Sequence, residues 1–145
     1  MKFAVFRSSG TLPTQEFDKA RGILDDPETF VVLELEDPDK HDLRELQRCF
    51  GLHDLAIEDA SSAHQRPKLE EYGDTLFMAI HSGLLRNQEI QYGELHLFVS
   101  TRFIIMIQHR SYVDYNPVYD RCLASKEFLQ YGGGFVLYTC LLYTS

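Results

Sequence analysis

The run FIIMIQH, Phe103 to His109, constrains this chain more than any other stretch. A half-solvated strand alternates apolar with polar residues, and this run does not. Unbroken apolar character over so short a span suits a strand covered on both faces. A strand of that kind needs packed layers around its sheet. The chain has the means to supply them: 44% of its 145 residues are hydrophobic and 25% charged, the balance of one globular domain with a sizeable core.

The rest of the chain reads as strands alternating with helices. Lys2 to Arg7 is a first strand, SSGTLP a loop, and Thr14 to Leu24 a short helix capped by Thr14 with Phe17 and Ile23 inward. FVVLELED, Phe30 to Asp37, is β-branched and apolar, then alternating, as a strand is. In DPDKHDLRELQRCFG, Asp37 or Asp39 caps a helix. Leu43, Leu46 and Phe50 recur on one face of it and Gly51 stops it. LHDLAIEDA follows as a second helix with Leu52, Leu55, Ala56 and Ile57 inward. Pro67 ends helical territory and disfavours helical geometry at Arg66. KLEEY then reads as a strand, Gly73-Asp74 as a tight turn or bulge, and TLFMAI and GELHLFVS as further strands. Thr101-Arg102 is a turn before FIIMIQH. Pro117 to Gln130 can be helical, with Val118, Cys122, Leu123 and Phe128 inward, before Gly132 to Gly134 break the chain. The expected fold is α/β: a mixed central sheet of about five to seven strands flanked by helices, with one domain over 1–131 and a further helix beginning in 132–145.

Composition excludes several classes. A net charge of -8 lacks the basic footprint nucleic acid calls for. Cys49, Cys122 and Cys140, odd in number and widely spaced, form no disulfide framework. The N-terminus MKFAVFRSSG is too short in its apolar run for a signal peptide. No run reaches the 18 or so apolar residues that a membrane span needs, so the chain as given reads as soluble.

Motifs of common enzymes are missing: HExxH, CxxC, the phosphate loop and the GxSxG elbow. Gly132 to Gly134 have no following lysine and serine, and read as a hinge or break. The six histidines are His41, His53, His64, His81, His96 and His109. The last three sit on or beside separate strands, where a fold could gather them around zinc; scattered histidines are the blander reading. Carboxylates crowd one strand end at Glu34, Glu36, Asp37 and Asp39. Hard oxygen ligands suit magnesium, which binds through one or two carboxylates and keeps its waters. These four are the weak candidate metal ligands, against the alternative of a solvated acidic face. Asp59 near a helix C-terminus is disfavoured by the dipole. Arg66 or Lys68 facing Glu58 or Asp59 would make an architectural ion pair. Tyr131, Tyr138 and Tyr143 are interfacial or core.

One stretch says more than its periodicity. FGLHDLAIEDASSAHQRPKLEEYGDTLFMAI, Phe50 to Ile80, resembles the cytoplasmic domain of the CorA family of magnesium and cobalt transporters. The family pattern is met by Phe50, Gly51, Leu52, His53, Leu55, Glu58, Asp59, Gln65, Arg66, Pro67, Lys68, Glu70 and Tyr72. Asp54 stands where the family often has proline. FVVLELEDPDKHDLREL resembles the strand and helix before this motif, GELHLFVSTRFIIMIQH the two strands after it. GGGFVLYTCL resembles the start of the family's long helix. The resemblance covers about Phe30 to Tyr138.

The resemblance implies a homopentamer in the cell membrane, each subunit carrying this domain in the cytoplasm, a stalk helix and two membrane helices. It implies passive flux of Mg2+, and of Co2+ in some members, with magnesium also acting as a regulatory ion between cytoplasmic domains. No cofactor is implied for this segment, and no catalysis. HSGLLRNQ offers no acid before Glu89, so the regulatory carboxylate of some relatives has no counterpart there. Cys140 to Ser145 depart from the family pattern, which continues with acids and a second aromatic stretch. Two other readings stand beside transport: a stand-alone α/β binding module, and a metal-dependent hydrolase built on clustered histidines.

Overall fold

The computed structural model describes residues 2–7, 10–13, 29–62 and 66–109. Its strands are β1 (Lys2–Arg7), β2 (Gly10–Pro13), β3 (Thr29–Glu36), β4 (Lys68–Tyr72), β5 (Thr75–Arg86), β6 (Glu89–Val99) and β7 (Phe103–His109). They form one open sheet in the order β2-β1-β3-β7-β6-β5-β4. Only β3 and β7 run parallel, with Val31 opposite Phe103 and Leu35 opposite Ile107; the other neighbours are antiparallel. The sheet is therefore mixed, as expected. Two helices, α1 (Lys40–Phe50) and α2 (Asp54–Ser61), follow β3.

Each helix is built from local chemistry. Asp39 caps α1: its side chain accepts from the Asp42 amide at 2.8 Å, and Asp42 reciprocates to the Asp39 amide at 3.1 Å, so two of the four orphan amides are satisfied. Of the two caps the sequence allowed, Asp37 is instead a left-handed residue, φ 44°. Gly51 ends α1 in the left-handed conformation, φ 64°, which costs glycine nothing. Leu43, Leu46 and Phe50 are buried, as their spacing predicts.

β7 occupies an interior position, and all seven of its residues are buried. On one face of the sheet Val31, Leu33, Leu35, Phe77, Ala79, Phe98, Phe103, Ile105 and Ile107 pack under α1 and α2. The opposite face is buried as well, through Val32, Leu95, Leu97, Ile104 and Met106. Each such large side chain contributes roughly 1.5–3 kcal/mol of transfer free energy.

Several expectations are corrected. Gly10–Pro13, read as loop, forms the edge strand β2 paired with β1; an edge is where a sheet accepts proline. β5 and β6 extend well beyond TLFMAI and GELHLFVS and meet at a two-residue turn, Asn87-Gln88, with φ of 50° and 66°. The resulting arm, past the end of β4, leaves Leu85, Ile90 and Tyr92 exposed. Leu55, expected inward, is 55% exposed, because Ala56 and Ala60 supply the face of α2 that meets the sheet. The helices expected over 14–24 and 117–130, the glycine run at 132–134, the three tyrosines Tyr131, Tyr138 and Tyr143, and the boundary at 131 lie outside the described residues.

Candidate functional site

The motif segment closes into a bracket between helices and sheet edge. Phe50 at the end of α1 sets its ring edge on Phe103, centroids 5.0 Å apart. After Gly51 turns the chain, Leu52 is buried and His53 caps α2, its Nδ1 accepting from the Leu55 amide at 3.1 Å. The His53 ring stacks on Tyr72 of β4 at 4.9 Å. Gln47 Nε2 donates to the Leu52 carbonyl at 3.2 Å and to Asp54 Oδ1 at 2.5 Å, pinning the α1–α2 corner. Asp54, where the family often has proline, thus has a structural use.

At the other end of α2, Asp59 receives Lys68 at 2.5 Å. Lys68 Nζ also lies 3.8 Å from Glu70 and 5.8 Å from the Phe77 ring centroid. The hydrogen bond to Asp59 holds the Lys68 ammonium above its usual pKa, against a smaller opposing effect of burial. Burial, with Glu70 and Asp59 close by, likewise pushes the Tyr72 phenol up. Of the pairings left open by the sequence, Lys68 with Asp59 is the one formed. Arg66 and Pro67 are exposed, and Gln65 lies outside the described residues.

Behind the bracket sits a buried polar cluster. Register places His81, Glu94 and His109 in one row across β5, β6 and β7, and His96 in the next. Glu94 Oε1 is 3.3 Å from His81 Nε2, and its Oε2 is bonded to His96 Nε2. His109 Nε2 lies 2.8 Å from the Ala60 carbonyl. A carbonyl only accepts, so that nitrogen carries the hydrogen. The His96 and His109 rings meet edge to face at 4.6 Å, and Phe77 stacks edgewise on His96 at 5.5 Å. Burial is the chief reason that His96 titrates below the ordinary histidine value. Its hydrogen bond to Glu94 opposes the shift and nearby His109 adds to it.

The three strand histidines are thus gathered, as their positions allowed, but around a carboxylate and a helix carbonyl. Among the described residues no group of three or more His, Cys, Asp or Glu side chains is placed to share one metal ion. His41 is exposed on α1, and His64 lies outside the described residues. The four candidate acids do not converge either. Glu34 is buried, accepting from Gln108 Nε2 at 2.5 Å; Glu36 and Asp37 are exposed; Asp39 is the helix cap. Glu94, the centre of the buried cluster, was missed in the sequence. The signal was its place two residues before His96 on a strand adjoining the fully buried β7.

The architecture defines the class first: an α/β domain with an open mixed sheet of the kind found in solved magnesium-transport proteins. The complete CorA magnesium transporter of Methanocaldococcus jannaschii superposes with a TM-score of 0.66 at 15% identity, covering 99% of this chain and 44% of that one. The soluble domain of the same organism's CorA gives 0.64 at 17%, covering 98% and 55%. The full-length CmaX protein gives 0.66 at 17%, covering 87% and 39%. At these identities the likeness is one of fold. Sequence supplies the second step. The chain belongs to the CorA-like Mg2+ transporter protein family, which matches residues 27–141. The candidate metal ion transporter YfjQ of Bacillus subtilis (strain 168) is 31% identical over 93 residues, 64% of this chain and 28% of that protein. The chain spans little more than a quarter of that relative and about half of the M. jannaschii structures. Among the described residues no helix is long and apolar enough to cross a membrane.

Proposed function

We propose that this chain is the cytoplasmic regulatory domain of a CorA-type divalent-cation transporter, acting within a longer protein that assembles as a homopentamer in the cell membrane. The family match over residues 27–141 carries this reading. The motif from Phe50 to Tyr72 supports it further, because its residues build one bracket joining α1, α2 and the sheet edge. Mg2+, and Co2+ in the same role, is the transported substrate, moving passively down its gradient. The domain's part is to hold the cytoplasmic side of the assembly in shape and to transmit regulation by the ion. Residues 1–131 form the domain, and 132–145 begin the helix that leads toward the membrane.

Of the four candidate acids Glu34, Glu36, Asp37 and Asp39, the exposed last three are the ones proposed to draw cations to this surface, loosely and without a dedicated cage. Growth rescue tests the function. The full-length protein containing this chain, expressed in cells lacking magnesium uptake, should restore growth at low magnesium and raise uptake of the ion. Full expression at the membrane with neither effect would overturn the transport reading.

A further inference from the structure

The last turn of α2 has a narrow hold on the sheet. Ala56 and Ala60 of α2 are buried and Ile57 packs half-buried against the core, so beyond Ile57 the last turn holds the sheet through the single methyl group of Ala60. The Ala60 carbonyl is one of the four at a helix end with no intrahelical partner, and His109 of β7 satisfies it. Behind this contact His96 is fully buried, and its Nδ1 has no hydrogen-bond partner among the described residues. The groups facing His96 come from every element around it. Glu94 shares its strand, His81 reaches Glu94 from β5, and His109 faces it from β7. From α2 come the Ala60 carbonyl and, beside it, Asp59, which is neutralised by Lys68 of β4.

We propose that Glu94, His96 and His109, with His81 at the rim, form a proton-operated latch that holds the C-terminal turn of α2 on the sheet. With Glu94 ionised, His96 donates through Nε2 and needs nothing at Nδ1. A second proton on His96 must sit at Nδ1. There the acceptor at hand, the Ala60 carbonyl, is already taken by His109, and the cation would lie against the His109 ring, in a site closed to water. Lifting the last turn of α2 admits water to that nitrogen and relieves both faults. Burial, which depresses the affinity of His96 for that proton, makes the closed state the one that refuses it. The open state accepts it at the ordinary value near 6.5. The sheet need not unfold, because β6 and β7 keep their own ladder and core. The latch is a property of this domain, whatever the longer protein transports.

Hydrogen exchange by NMR on the 145-residue chain tests this between pH 7.5 and 5.5, with rates corrected for intrinsic exchange. Below about pH 6.5 the opening constant of the Glu58 to Ser62 amides should rise, by up to tenfold per pH unit for one proton taken up on opening. The amides of Leu33 and Ile105 should stay protected. His96→Gln keeps a donor for Glu94 but cannot take the proton, and should flatten the response. Imidazole nitrogen shifts at pH 7.5 should show His96 protonated at Nε2 alone. The proposal is overturned if α2 and the central strands lose protection together, or if the opening constant does not change with pH. It is equally overturned if His96→Gln, folded, opens with the pH dependence of the parent. If His96→Gln does not fold, the comparison of α2 with the central strands in the parent decides alone.

Discussion

Lys68 meets Asp59, Glu70 and the Phe77 ring at the closing point of the motif bracket, and a double-mutant cycle with Asp59 isolates the first of these contacts. The two side chains are about a quarter exposed, at 26% and 23%. Unit charges about 4 Å apart attract by about 4 kcal/mol in a medium of effective dielectric 20. Solvent access and the entropy of fixing the lysine reduce the net to about 1 kcal/mol. The ammonium 5.8 Å from the Phe77 centroid adds about 0.5–1 kcal/mol. Lys68→Met should therefore cost about 1.5–2 kcal/mol and Asp59→Asn about 1 kcal/mol, with the double variant about 1 kcal/mol better than their sum. With a urea slope of about 1–3 kcal/mol/M, Lys68→Met lowers the midpoint by roughly 0.5–2 M at unchanged slope. The pH dependence has a definite sign. The folded pKa of Lys68 is raised above 10.5, so its contribution is complete below that value and is lost as pH climbs through the folded pKa. Additivity of the two single variants within about 0.3 kcal/mol would refute the pair as the clasp of the bracket.

Two further outcomes follow from other sites. Gly51 has φ 64° with nothing within 4 Å of an added Cβ, so Gly51→Ala should cost about 1 kcal/mol by backbone strain alone, read by urea denaturation; a loss above about 3 kcal/mol would point to a clash that the geometry does not contain. Magnesium titrated into the chain by calorimetry should bind weakly and fade between low salt and 0.15 M, as a screened acidic surface does; a saturable micromolar site indifferent to salt would contradict the dispersed placement of Glu34, Glu36, Asp37 and Asp39.

Much of this was legible because local signals are strong where they are local. Asp39, Leu43, Leu46, Phe50 and Gly51 state α1 from cap to stop. FIIMIQH stated that β7 is interior, and β7 is flanked by β3 and β6. The sheet's reach was harder to see. HSGLLR shows no alternation, and EIQY alternates with its apolar Ile90 and Tyr92 exposed beside Leu85. They extend only because each pairs with the other across Asn87-Gln88, a turn without the usual glycine. Leu55 was misplaced because α2 meets the sheet through alanines, and periodicity counts size rather than fit. Glu94 and His96 alternate with Leu95 and Leu97, a pattern that taken alone resembles a strand with one solvated face. Yet β6 adjoins β7, and a neighbour covered on both faces leaves little room for a solvated side. Burial of Glu94 and His96 thus follows from their strand's place beside β7.

The parallel pairing of β3 with β7 also governs the order in which this chain can take shape. β4, β5, β6 and β7 form a meander whose strands meet across short turns, so each contact costs little loop entropy. The contact of Glu34 with Gln108 joins residues 74 apart. By the logarithmic dependence on loop length, closing it costs roughly 2.5 kcal/mol more than closing a turn of four residues. The meander is therefore expected to assemble first, as a template onto which β3 and its helices dock late. On a ribosome β3 is made long before its interior partner exists. It must wait, an apolar strand with one neighbour at most, until His109 has cleared the exit.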